Sequence, residues 1–154
     1  MMRLISAILI VGAIACATLM FTQSSAPTRE PWVDPLLEQY VLEWKEDMQR
    51  EGIEYERGFS RIERITICED CKAGYSDRGD REIAVSKGQL MIGPYSTRGT
   101  IYHELGHSVF NLQHGSCNIM QSMSPTEEEL RERWTLFTEE YLTHCKDNWY
   151  EARF

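Results

Sequence analysis

The stretch His103-Glu104-Leu105-Gly106-His107-Ser108-Val109-Phe110-Asn111-Leu112-Gln113-His114 holds three of the four histidines of this 154-residue chain. On a helix, residues four apart share a face, so His103 and His107 can point their imidazoles at one metal ion. Glu104, an acceptor-only carboxylate beside the first of them, stands where a general base is needed against a metal-activated water. The spacing suits zinc-activated water attacking a carbonyl. Ile101, Leu105, Val109, Phe110 and Leu112 supply the apolar faces of a buried helix. With Pro94 before it and Ser96 as N-cap, that helix is expected over residues 97–110.

His114 lies seven residues beyond His107, about 10.5 Å further along the axis if the helix continued. To reach the same ion, the chain must stop and turn back. Asn111 tolerates the positive φ such a stop requires, and Gly115 allows a second sharp turn directly after His114. A catalytic zinc takes three protein ligands and leaves a fourth position for water, so His103, His107 and His114 would complete the set.

From His103 to Ser124 the sequence resembles the metzincin clan of zinc peptidases, whose signature is H-E-x-x-H-x-x-G-x-x-H followed by a methionine-containing turn. Small bacterial metallopeptidase-like proteins with H-E-L-G-H and a later histidine look most similar. His114 comes one residue later than the third ligand of the clan, and, counting back from that ligand, Asn111 stands where the clan has glycine. The resemblance implies a minimal α+β zincin domain, with a small mixed sheet, an active-site helix and flanking N- and C-terminal helices. It also implies a Met-turn at Met120, with Met123 as the competing methionine. A rival assignment takes the third ligand from a later helix, as in gluzincins, where Glu127, Glu128, Glu129 and Glu132 stand. An acidic first turn also suits the helix dipole with no metal involved.

Outside the motif, Asp34-Pro35 reads as N-cap and first position of a helix reaching about residue 50, with Leu36, Leu37, Tyr40, Val41, Trp44 and Met48 as its apolar stripe and Gly52 closing it. Residues 61–67 read as a strand ending at Cys68, residues 71–81 as a loop, residues 82–86 as a second strand and residues 89–92 as a third. Ser124-Pro125-Thr126 starts a last helix to about residue 145, with Leu130, Trp134, Phe137 and Tyr141 on its inner face. An edge strand near Ile83 and Val85 is expected to offer its backbone to an extended peptide.

Residues 4–21 carry no charge and follow only Arg3, which reads as export with residues 1–26 as signal peptide or membrane anchor, residues 27–33 as linker and residues 34–154 as the catalytic domain. A lipid on Cys16, a signal-anchor and a cleaved signal all remain open. With 16 basic against 24 acidic residues the net charge is −8 and no basic patch exists, which excludes nucleic acid as a partner and confines the membrane to the N-terminal segment. Cys68, Cys71, Cys117 and Cys145 read as disulfides in an exported domain, Cys68–Cys71 as a local bridge and Cys117–Cys145 as a tie to the last helix. A four-cysteine structural zinc is the alternative.

The expected activity is hydrolysis of a peptide or protein substrate, with Zn²⁺ on the three histidines and Glu104 as general base. Tyr141 is a candidate oxyanion partner that an amphipathic helix more often buries, and His144 is a surface residue near a helix end. The competing class is a non-catalytic envelope protein braced by its metal.

Overall fold

The computed structural model describes residues 29–77 and 81–149, so the readings of the extreme N-terminus lie outside the described residues. Strand β1 (Trp32–Val33) sits at the end of the span read as linker. Asp34 then turns the chain: its Oδ1 accepts from the Leu36 N–H at 3.0 Å and its carbonyl from the Leu37 N–H at 2.8 Å. Helix α1 (Glu38–Arg50) follows, starting later than position 35 because that turn intervenes. Gly52 closes it at φ +64°, a conformation glycine adopts without steric cost.

After a single turn of helix, α2 (Glu56–Phe59), come β2 (Arg64–Cys68), β3 (Gly74–Asp77) and β4 (Glu82–Ser86). The sheet order is β1-β2-β4-β3, with β1–β2 and β2–β4 parallel and β3–β4 antiparallel. The fold is therefore α+β with a small mixed sheet, as expected. Two expectations need correction. The segment read as a loop over residues 71–81 contains β3, which its glycine and charge content hid. The segment around Ile83 is not an edge: β4 is paired on both sides and buried along Ile83, Ala84 and Val85. Among the described residues the edges are β1 and β3.

The third expected strand is also corrected. Residues 87–92 form helix α3 (Lys87–Ile92), begun by the Ser86 hydroxyl, which accepts from the Gly88 N–H at 3.0 Å. No residue of α3 is buried, so its sequence carries no core-facing period to read. The long helix α4 (Pro94–Phe110) starts at Pro94 with Gly93 as N-cap, not at Ser96, because proline at the first helical position has no N–H to satisfy. Helix α5 (Glu127–Trp149) is opened by a reciprocal cap: the Glu129 carboxylate accepts from the Thr126 N–H at 2.9 Å, and the Glu129 N–H donates to the Thr126 hydroxyl at 3.2 Å.

Helix α4 packs on α1, α5 and the β3–β4 side of the sheet, which makes it the central element. Its Ile101, Tyr102 and Leu105 are fully buried, with Trp44 of α1, Ile65 and Ile83 of the sheet, and Phe137 and Tyr141 of α5. Each such large apolar side chain contributes about 1.5–3 kcal/mol when fully buried. Trp44 donates its indole N–H to the Tyr141 hydroxyl at 3.1 Å, tying the first helix to the last. Among the described residues no helix is long and apolar enough to cross a membrane.

Candidate metal centre

His103 and His107 lie one turn apart on α4, as the four-residue spacing requires. The helix stops where the motif predicts: Asn111 takes left-handed backbone angles (φ 58°, ψ 27°) and reverses the chain. The Leu112 N–H then donates to the Gly106 carbonyl at 3.1 Å, and His114 comes back over the helix end. The Nε2 atoms converge as a near-equilateral triangle: His103–His107 3.0 Å, His107–His114 3.1 Å and His103–His114 3.2 Å. Nitrogens bound tetrahedrally to zinc at 2.0–2.1 Å stand about 3.3 Å apart, so the triangle has the right size.

The chemistry of the donors is decided by their other nitrogens. His103 donates its Nδ1–H to the Ile119 carbonyl at 2.8 Å, and His107 donates its own to the Leu112 carbonyl at 2.7 Å. Each neutral ring has one N–H, so both Nε2 atoms carry lone pairs. Two lone pairs facing each other at 3.0 Å repel unless a cation lies between them. Orienting backbone carbonyls of this kind are the usual outer partners of metal-binding histidines. Burial pushes His103 down to about 4; its bond to Ile119 opposes this, while the neighbouring rings add to it. The ring is thus neutral, the form a ligand needs. His114 is exposed, which leaves the centre open to solvent on that side. The three histidines could hold a metal ion, and among the described residues no other histidine, cysteine or carboxylate group of three or more is placed to do so.

The turn carrying Ile119 is itself built. Gly115, at φ +83°, donates its N–H to the Met120 carbonyl at 2.8 Å. The Asn118 N–H and side-chain amide both donate to Glu140 Oε2 of α5, at 3.1 and 2.6 Å. Met120 is fully buried beneath α4. A Cβ on Gly106 would sit 2.7 Å from its sulfur and 3.1 Å from the Tyr141 ring, so only glycine lets the turn pack this closely. Met123 is 87% exposed and takes no part.

Glu104 is buried on α4, and its Oε1 would lie 3.0 Å from a Cβ on Gly74 of β3. The edge strand therefore runs directly against this carboxylate. Gly74 was not legible as a site residue, because its role depends on a non-local strand pairing. The same is true of the Leu112 and Ile119 carbonyls, which no side-chain pattern announces.

The other candidates resolve differently. Glu127 accepts from the Tyr95 and Ser96 N–H groups, at 3.3 and 2.6 Å, and caps the opposite end of α4. Glu129 caps its own helix, and neither Glu128 nor Glu132 joins the cluster. Tyr141 is fully buried, accepting from Trp44, and His144 stands apart from the three ligands. Cys68 and Cys71 are paired, with Cα atoms 5.9 Å apart. The expected Cys117–Cys145 bridge is corrected: both are buried free thiols, each pushed up by burial. Nor do the four cysteines gather into a second metal site.

Comparison with protein-family models, with curated proteins and with solved structures gave no significant match.

Proposed function

We propose that this chain is a zinc-dependent peptidase of metzincin-like design, with the ion on His103, His107 and His114. The observation that carries the reading is the triangle of Nε2 atoms, two of them fixed as lone pairs by backbone carbonyls. Three histidine nitrogens leave a fourth position open, the pattern of catalytic rather than closed structural zinc sites. That count also weighs against a purely bracing ion, since the described residues offer no fourth ligand. Met120 beneath Gly106 supports the Met-turn reading.

Bound there, a zinc ion would supply Lewis acidity, bringing the pKa of a water in its fourth position toward about 7. Glu104 follows His103 in the chain and is the carboxylate for the proton work. It takes a proton from water as the oxygen adds to the scissile carbonyl, then returns it to the departing amine. His103 and His107 are held in their ligand tautomer throughout by Ile119 and Leu112. The substrate backbone has a matching partner in β3, an edge strand beside Glu104, where an extended peptide can add as a further strand.

The test is Glu104→Gln against His107→Ala, assayed on a peptide library with metal content measured in parallel. Glu104→Gln should keep its metal and lose about 10²–10⁴-fold in turnover, the usual worth of a general base. His107→Ala should lose both. Full cleavage by metal-replete Glu104→Gln would sink the assignment.

A further inference from the structure

Away from the histidines, an apolar face near the start of the domain has no partner among the described residues. Trp32 is 58% exposed, Leu36 67% and Leu42 55%, although the body of the molecule has a well-filled core. Trp32 and Leu42 border a groove of about 410 Å³ that Pro31, Pro35 and Val41 also line, and Leu36 stands exposed in the turn before α1. Scattered apolar residues on a surface need no explanation, but a tryptophan, a leucine, a valine and two prolines lining one groove mark an interaction face.

Its position in the chain says what covers it. Residues 4–21 form an uncharged apolar run long enough to enter a bilayer, and only residues 22–31 separate that run from Trp32. Ten residues span roughly 35 Å at full extension. Trp32 is meanwhile pinned to the domain, its N–H donating to the Glu63 carbonyl at 3.0 Å. The face is therefore the part of the domain that a tether of this length holds closest to the membrane. Tryptophan and proline beside leucine suit the headgroup level, where an amphipathic ring has one apolar and one wet side. The groove holds one acid, Glu38, and one base, Lys45, and Lys45 is already paired with Glu30. With a net charge of −8 over the chain, attraction to anionic lipid has no source here.

We propose that the Trp32–Leu42 groove face docks on the uncharged interface of a lipid bilayer into which the apolar run 4–21 would insert. Strand β1, which carries Trp32, is one edge of the sheet, and β3, beside Glu104, is the other. Three strand spacings, about 14 Å, separate them. Docking through β1 leaves the β3 edge at the far end of the sheet, so the centre meets substrates from the aqueous side.

The full chain reconstituted in phosphatidylcholine vesicles tests this, with brominated or ordinary acyl chains and tryptophan emission as readout. Brominated lipid should quench a component that is absent in Trp32→Phe and unchanged at high salt. The variant Leu42→Asp should lose the same component while keeping wild-type circular dichroism and metal content. Equal quenching in wild type and Trp32→Phe overturns the proposal. Shielding of Trp32 from aqueous acrylamide without lipid quenching assigns the face to a second copy, or to the chain's own N-terminus, and overturns it too. Neither outcome depends on the peptidase activity, so the two readings fail independently.

Discussion

The two ends of helix α4 treat polar groups in opposite ways. At the N-terminal end everything is settled within the protein. Glu127 accepts from the first free N–H groups, Thr97 donates its hydroxyl to the Gly93 carbonyl, and Thr100 donates to that of Ser96. At the C-terminal end backbone carbonyls are also used, but to orient the imidazoles of His103 and His107, whose Nε2 atoms meet that of His114. The first end is stable as it stands; the second asks for a cation. Local rules of satisfaction are met at the capped end and are broken where three histidines could hold a metal ion.

Substitutions at the two ends should therefore separate in what they change. The largest effect on stability is expected at Asn111, whose left-handed conformation costs a β-branched side chain about 2 kcal/mol. Asn111→Val should lower the denaturation midpoint accordingly and weaken metal binding, whereas Asn111→Gly should retain both. Gly106→Ala comes next. Alanine gains about 1 kcal/mol of helix propensity, but its methyl meets the buried Met120 sulfur at 2.7 Å. Overpacking of this kind costs about 1–3 kcal/mol, so a net loss near 1 kcal/mol is expected in urea unfolding, with looser metal retention during dialysis against a chelator. The smallest effect belongs to the other end. Glu127→Ala removes a cap worth about 1 kcal/mol or less and should leave metal affinity unchanged. A drop in metal affinity equal to that of Asn111→Val would erase the distinction between the two ends.

Much of this was legible because it is local. The histidine face, the stop at Asn111, the turn at Gly115 and the start of the last helix near Thr126 each follow from residues a few positions apart. What was misread depends on distant partners. Strand β3 exists because Gly74 to Asp77 pairs with β4, not because its composition favours a strand. The absence of any buried residue in α3 left residues 89–92 without a period to read. The partner of the first free N–H groups of α4 was hidden, because Glu127 lies more than thirty positions away in the chain. Among the acidic residues of the last helix, position alone could not separate a ligand from a cap.

The most direct measurement is zinc content per chain in the purified protein, wild type beside His114→Ala. One zinc per wild-type chain, lost in His114→Ala while the circular dichroism is retained, is the expected result. No zinc in the wild type, or full occupancy in His114→Ala, would contradict a three-histidine centre.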